Sequence, residues 1–164
     1  MTEFDPNRRN VLMAGGAALT VAMAGCLGGD DDDDNGNGDG ADIADDPEGA
    51  VQEWMDGEGA EGWDGNIEDL TGEDEVTIGN GDNAPDYQYG PPAARIDVGT
   101  TVTFEWTSDG HTLHEEDSST DFDELTDIED EGFEHEMTLD EEGAALYYCQ
   151  PHRGQGHVGA LIVE

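Results

Sequence analysis

The residues best suited to metal chemistry lie close together near the C-terminus. One short run supplies a thiol and two imidazoles, in the order Cys149, His152 and His157. A further imidazole lies upstream at His111. Two imidazoles and a thiolate with a weak axial ligand form a blue-copper centre, whereas one thiolate with three imidazoles also suits tetrahedral zinc. The spacing therefore predicts a mononuclear metal site and leaves the metal itself open.

The number of cysteines supports a ligand role for Cys149. The chain has two cysteines, Cys26 and Cys149. If Cys26 carries a lipid, no disulfide can form within the chain. A lone thiol outside the cell is prone to oxidation, so metal ligation is the best reason for Cys149 to be present.

The remaining histidines are interpreted as structural. His114 adjoins Glu115 and Glu116, which is typical of an exposed, charge-paired side chain. His135 alternates with apolar residues, which indicates a packed histidine at the edge of a core. Neither is predicted to bind the metal.

Strand-like patterning begins near Glu73 and continues to the C-terminus. Apolar residues alternate with polar ones in short runs that turn residues separate, and this pattern is typical of half-buried strands. The runs are Val76 and Ile78; Ile96 and Val98; Val102, Phe104 and Trp106; Phe133, His135, Met137 and Leu139; Ala145, Tyr147 and Cys149; and an apolar stretch over 160–163. They predict an all-β fold, an antiparallel β-sandwich over residues 73–164.

A short lead-in over residues 47–72 precedes the predicted sandwich. Pro47 favours a helix start, and Val51, Trp54 and Met55 would then share one helical face. Residues 62–65, Gly-Trp-Asp-Gly, would break this helix. The tryptophans predict that the lead-in packs against the domain.

The charge of the chain is extreme. It has 43 acidic residues, four arginines and no lysine, for a formal net charge of −39. Such a charge repels itself in dilute buffer, but molar salt shortens the Debye length to about 3 Å. We therefore predict adaptation to high salt. Acidic disorder is the alternative, which the alternating runs disfavour for the C-terminal half, and nucleic acid is excluded as a partner.

The N-terminal segment has the features of an export signal. Arg8 and Arg9 form a twin-arginine pair, and an Ala- and Gly-rich apolar stretch over 11–24 follows. That stretch is too short to cross a bilayer core of about 30 Å. The residues Met23-Ala24-Gly25-Cys26 resemble a lipobox. Residues 1–25 are therefore predicted to be a twin-arginine lipoprotein signal peptide, with Cys26 as the lipid attachment site; a cleaved signal with an unmodified cysteine is the alternative.

Residues 26–46 are predicted to be a disordered, acidic, flexible linker. Five consecutive aspartates over 30–34 are followed by alternating Asn, Gly and Asp. Such a run repels itself and stays extended. It would hold the folded domain away from the extracytoplasmic face of the membrane, to which the lipid would anchor it.

From about residue 51 to residue 164 the chain resembles the halocyanins, the plastocyanin-like cupredoxins of haloarchaea. The most specific part of the resemblance is the loop Tyr147-Tyr148-Cys149-Gln150-Pro151-His152. Further matching positions are Trp54, the Trp63-Asp64-Gly65 turn, residues 71–76, residues 92–96 and residues 99–102.

This resemblance implies a cupredoxin-like Greek-key sandwich with one copper ion per chain, bound by His111, Cys149 and His152. The family's His-Asn-Val sequence around the first ligand is here His111-Thr112-Leu113. The family's axial methionine stands five residues after the loop histidine, and this chain has His157 there. An imidazole is a stronger donor to Cu(II) than a thioether, so we expect a lower reduction potential if His157 binds.

The resemblance further implies a monomeric one-electron carrier with a type 1 copper site, working between membrane redox complexes. The main alternative is a copper- or zinc-binding protein without electron-transfer duty. An enzyme is the weakest hypothesis because no acid–base pair or substrate cleft is evident from the sequence, so no enzymatic activity is expected.

Overall fold

Two β-sheets pack face to face in this protein, whose computed structural model describes residues 43–82 and 87–164. Within these residues one sheet has the strand order β1-β4-β10-β9-β6-β7 and the other the order β3-β2-β5-β8. The strands are β1 (Glu68–Asp69), β2 (Glu75–Asp82), β3 (Gln88–Gly90), β4 (Ala93–Ile96), β5 (Thr100–Trp106), β6 (His111–Ser118), β7 (Leu125–Glu129), β8 (Glu134–Leu139), β9 (Gly143–Tyr148) and β10 (Val158–Val163). A helix, α1 (Pro47–Glu58), precedes them, and a 3₁₀ helix (Gln150–Gln155) joins β9 to β10.

The expected two-sheet β-sandwich is confirmed. Most neighbouring strands are antiparallel, while β1 with β4, β4 with β10, and β2 with β5 are parallel. Consecutive strands such as β4 and β5 lie in different sheets, and such crossings allow strands of one sheet to run parallel. The predicted signal peptide, Cys26 and residues 26–42 of the predicted linker lie outside the described residues.

The main core lies between the two sheets and follows the predicted alternation. Val102, Phe104 and Trp106 of β5 are fully buried. They contribute to a core cluster with residues of the opposite sheet, among them Leu113 and Tyr147. The Trp106 indole N–H donates to the His111 carbonyl at 2.9 Å, which satisfies a buried polar group and ties β5 to the start of β6.

The predicted helix is present, and its ends follow from local chemistry. The Asp46 side chain caps the first turn by accepting the Gly49 N–H at 3.1 Å, and Pro47 occupies the first turn, where its missing N–H costs nothing. The helix ends at Glu58, and the residue after it, Gly59, has a φ of 63°, the left-handed conformation that glycine adopts most readily.

The buried face of α1 covers the outer face of β9 and β10. Val51 and Met55 are fully buried within a second core cluster that includes Leu146, Val158 and Ile162. β9 and β10 are therefore buried on both faces, which explains their nearly continuous apolar sequences. The prediction that the lead-in packs against the domain is confirmed.

Some strands differ from the sequence prediction. The Ile96 and Val98 pair was expected to alternate within a strand, but β4 ends at Ile96 and Val98 lies in the following turn, 41% exposed. Four strands were not predicted from apolar alternation: β1 and β3 are very short, β6 is mostly polar, and β7 is an acidic edge strand. None of the helices formed by residues 43–82 and 87–164 is long and apolar enough to cross a membrane.

Candidate metal centre

The four residues predicted as metal ligands are brought together where β9 ends and β6 and β10 begin. The donor atoms of His111, Cys149, His152 and His157 all lie within 4.8 Å of one another. Antiparallel pairing places His114 of β6 opposite Tyr148 of β9, so the start of β6 meets the end of β9. The 3₁₀ helix supplies His152, and His157 follows its C-cap Gly156, directly before β10.

Three of the donor atoms form a nearly regular triangle. The Nδ1 atoms of His111 and His152 are 3.1 Å apart, and each lies 3.5 Å from Cys149 Sγ. A point equidistant from these atoms is about 2 Å from each, close to the bond lengths of imidazole nitrogen and thiolate sulfur to a transition-metal ion. The triangle therefore fits one metal ion.

His157 is the buried fourth member of the group. It has no exposed surface, and neither ring nitrogen has a hydrogen-bond partner among the described residues. Its ring centroid lies 4.8 Å from that of His111 and 6.1 Å from that of His152. Burial, together with the neighbouring His111 and His152, lowers the pKa of His157 to about 2. Its lone pair is thus free at ordinary pH, and a metal bond would satisfy a nitrogen that is costly to leave unpaired.

Ser108 sets the orientation of His111. The Ser108 hydroxyl donates to the Gly81 carbonyl at 3.1 Å and lies 2.8 Å from His111 Nε2. Because its one hydrogen points to the carbonyl, the hydroxyl accepts the Nε2–H of His111. Nδ1 is then unprotonated and faces the other donors, which is how outer partners orient metal-ligating histidines.

Thr112 places two hydrogen-bond donors near the sulfur of Cys149. Its backbone N–H lies 3.5 Å and its hydroxyl 3.9 Å from Cys149 Sγ, and the hydroxyl accepts the Gln150 N–H at 3.0 Å. Burial raises the pKa of the Cys149 thiol, and the Thr112 hydrogen bonds act against this rise. Hydrogen bonds to a metal-bound sulfur also tune the reduction potential of the metal centre.

The donor loop, residues 149–157, is closed by its own backbone. The Cys149 N–H donates to the His157 carbonyl at 3.0 Å, and the His152 N–H donates to the Cys149 carbonyl at 3.1 Å. Gly156 ends the 3₁₀ helix in the left-handed region, with a φ of 84°. This tight turn returns the chain so that His152 and His157 lie on the same side as Cys149.

His152 is the donor nearest the surface. It is half-buried while the other three residues are buried, and its ring packs on Tyr87 with a centroid distance of 4.6 Å. Burial still lowers the pKa of His152. One edge of this imidazole therefore connects the buried site to the solvent side of the molecule.

His114 and His135 lie outside this group of donors. His114 was expected to be exposed beside Glu115 and Glu116, but it is mostly buried, stacked on Tyr148 at 5.3 Å, with Nδ1 3.8 Å from Glu124. The expected exposure was wrong because the Tyr148 ring stacks on the imidazole. His135 is a half-buried strand residue hydrogen-bonded to the Asp123 carbonyl at 2.8 Å, as its alternation indicated.

Sequence reasoning missed the residues that orient the donors. Ser108 and Thr112 carry no motif, and their roles depend on contacts across the sandwich. Gly81 offered one signal, since an isolated glycine within a strand pattern indicates a bulge or a close backbone approach. It lies at the irregularity in the pairing of β2 with β3.

Comparisons with known proteins agree with this geometry. Residues 74–164 match the family of copper binding proteins described as the plastocyanin/azurin family. A halocyanin of Natronomonas pharaonis is 44% identical over 164 residues, covering 98% of this chain and 99% of that protein. The chain therefore belongs to the plastocyanin/azurin family of copper-binding proteins, and its cofactor is one copper ion. Within that family it is a halocyanin-like blue copper protein.

Solved structures also resemble the sandwich. A purple cupredoxin from Nitrosopumilus maritimus is 28% identical with a TM-score of 0.44, covering 54% of this chain and 99% of that one. A pseudoazurin from Methylobacterium extorquens is 25% identical with a TM-score of 0.45, covering 55% of this chain and 75% of that one. The family assignment rests on the sequence matches and the site geometry.

Proposed function

We propose that the protein is a one-electron carrier whose single copper ion is bound by His111, Cys149, His152 and His157. The observation that supports this most is the triangle of two Nδ1 atoms and one Sγ atom with sides of 3.1 to 3.5 Å. Bound copper supplies the Cu(I)/Cu(II) couple at this point. The chain's own residues hold the donors, exclude water and leave one edge accessible.

The donors are held by contacts that do not depend on the metal. Trp106 and Ser108 fix His111 from two sides, and Thr112 contacts the Cys149 sulfur. Since Trp106 and Thr112 lie in strands and Ser108 lies in the turn between β5 and β6, the same geometry can serve both oxidation states with little rearrangement. Small rearrangement is what a carrier needs for fast exchange.

The exposure pattern favours a carrier over an enzyme. Four donors around one ion leave no open position for a substrate, and catalytic metal sites keep such a position. The half-buried edge of His152 is the shortest connection from the site to the surface. We therefore propose that electrons enter and leave through this edge, in contact with membrane redox complexes as donor and acceptor, and that the carrier works as a monomer.

The role of His157 is the most testable part of the ligand set. In molar salt, Cu(II) added to the full chain should give an intense visible band from the thiolate and a reversible one-electron wave in voltammetry. His157→Ala should raise the reduction potential and change the electron paramagnetic resonance spectrum, because it removes a nitrogen donor that favours Cu(II). His157→Met should also raise the potential.

Two outcomes would contradict these assignments separately. Identical potentials and spectra for His157→Ala and the parent would show that His157 is not a ligand. A parent that binds copper without a reversible wave would favour the alternative, a copper- or zinc-binding protein without electron-transfer duty. Cys149→Ser serves as the control, since loss of the thiolate must abolish the visible band.

We further propose that the carrier is exported by the twin-arginine route and anchored through a lipid on Cys26 at the extracytoplasmic face of the membrane. The support is the sequence: Arg8-Arg9, the short apolar stretch and the lipobox-like Cys26. Cys26→Ser should shift the protein from the membrane to the soluble fraction, or leave it unprocessed. A variant that stays membrane-bound at the mature size would overturn the anchor.

A further inference from the structure

Arg153 links the donor loop to two other elements. It follows His152 directly, and its Nε and Nη2 lie 3.0 and 3.1 Å from the two carboxylate oxygens of Glu58, at the end of α1. Nη1 and Nη2 lie 2.7 and 3.2 Å from the carboxylate of Glu116 in β6. One guanidinium thus makes two forked ion pairs, a geometry that lysine cannot reproduce.

The same guanidinium is enclosed by aromatic rings. Its central carbon lies 4.5 Å from the ring centroid of Tyr148 and 5.0 Å from that of Trp54. Trp54 belongs to α1, and its indole N–H donates to the Gly159 carbonyl at the start of β10 at 3.2 Å. Stacking of this kind adds attraction to the ion pairs and limits the rotamers open to Arg153.

The other end of the donor loop also rests on the segment that follows α1. The Glu61 N–H donates to the Gly156 carbonyl at 2.8 Å. A Cβ atom at Gly156 would lie 2.5 Å from the Gly59 carbonyl oxygen and 2.9 Å from the Glu61 nitrogen. Only glycine fits this approach, which places the backbone of the segment directly against the residue before His157.

The distribution of positive charge points to the same segment. Arg95 and Arg153 are the only arginines in residues 43–164, and the chain has no lysine. Both pair with carboxylates of α1: Arg95 with Glu48 in the first turn, and Arg153 with Glu58 in the last. Arg95 also pairs with Glu164 and lies away from the donor loop.

We propose that residues 54–61, hereafter the clamp, position the donor loop, with Arg153 as the positioning residue that connects the two. The clamp holds His152 through Arg153 and His157 through Gly156, so both imidazoles keep their places before a metal binds. This inference rests on the metal centre proposed above. The clamp precedes residue 74, where the match to the copper-binding family begins.

The test compares Arg153→Ala with Arg95→Ala in the full chain. Both variants remove an arginine that joins α1 to the sandwich, but only Arg153 belongs to the donor loop. Amide hydrogen exchange is measured on the metal-free protein in molar salt, and copper affinity by competition with a chelator. Arg153→Ala should speed exchange of the His152, Gly156 and His157 amides about tenfold and weaken copper binding by about tenfold or more, the usual effect of losing an outer-shell partner.

Arg95→Ala should leave donor-loop exchange and copper affinity at parent values even where it loosens the first turn of α1. Arg153→Lys should behave like Arg153→Ala although it keeps the charge, because lysine cannot form the two forked ion pairs. If Arg153→Ala fails to fold, Glu58→Gln takes its place, because it weakens one of the two ion pairs without changing side-chain size.

Equal donor-loop exchange and copper affinity in the Arg153 or Glu58 variant and in Arg95→Ala would overturn the clamp. The exchange experiment contains no copper, so it remains decisive if the copper-loaded parent shows no reversible wave. The absence of a reversible wave would count against electron transfer and not against the positioning role.

Discussion

Replacing Gly81 by alanine should disturb the metal centre by pressing on the edge of the His111 ring that faces away from the other donors. Gly81 has a φ of 90°, which L-residues rarely adopt, and it lies against the outer edge of His111. A Cβ there would overlap the Ser108 hydroxyl and lie 2.6 Å from His111 Nε2 and 2.8 Å from Cδ2. Either the histidine ring or the backbone of β2 must move.

The magnitude follows from two separate costs. A left-handed alanine costs about 1–2 kcal/mol wherever it is placed. Displacing Ser108 breaks its bonds to Gly81 and His111, each worth about 0.5–1.5 kcal/mol. Gly81→Ala should therefore lower the free energy of unfolding by about 2–5 kcal/mol. Gly99→Ala is the matched control, since Gly99 has a φ of 87° and a Cβ added there would meet nothing within 4 Å; it should lose only the first cost, about 1–2 kcal/mol.

Denaturant unfolding of the metal-free proteins in molar salt measures both costs, and a copper competition assay measures the consequence for the site. We expect copper affinity to fall about tenfold or more in Gly81→Ala, because His111 loses its orienting partner, and to be unchanged in Gly99→Ala. Equal unfolding free energies for the two variants, with equal copper affinities, would show that the contact between Gly81 and His111 does not position the ligand.

Three further predictions concern stability. The folded pKa of His157, about 2, lies below its unfolded value of 6.5. Stability from the neutral imidazole is therefore fully present above pH 6.5 and is lost as the pH falls towards 2, because only the unfolded state takes up the proton; relative to His157→Phe, the unfolding free energy of the metal-free parent should fall by about 1.4 kcal/mol per pH unit in this range. Parallel pH profiles of the two proteins in denaturant unfolding would refute this. Met55→Ala should lower the unfolding free energy by about 2–5 kcal/mol, and a loss well below this range would mean that α1 is not part of the core. The melting temperature should rise steeply between dilute and molar salt because screening removes self-repulsion among the acidic residues; a flat profile would contradict the salt adaptation.

The donor set shows how far local sequence reasoning reaches. Cys149, His152 and His157 lie in one short glycine-containing run, so a single turn suffices to bring them together. Their convergence is a local property of the chain. His111 is 38 positions away from Cys149, and it reaches the site through the pairing of β6 with β9. The resemblance to the halocyanins implied that His111 is a ligand, but spacing alone did not predict this strand pairing.

Alternation of apolar and polar residues was enough to find β5, because period two is visible within one strand. It described only one face of β9, the face of Ala145 and Tyr147, which Cys149 continues directly after the strand. The opposite face is buried too, because α1 covers Leu146 and its neighbours. Burial by another layer cannot be read from the periodicity of the strand that it covers.

Sequence patterns alone were enough to predict the sandwich class, the helix of the lead-in, the candidate donors of the loop and the acidic character of the chain. Each of these depends on residue type, spacing or composition within a short stretch. Only the tertiary structure decided which residues orient the donors. Ser108 meets Gly81 across 27 positions, and Arg153 meets Glu58 across 95. Such contacts are set by strand register and by the packing of layers, which bring together residues whose separation in the chain carries no periodic signal.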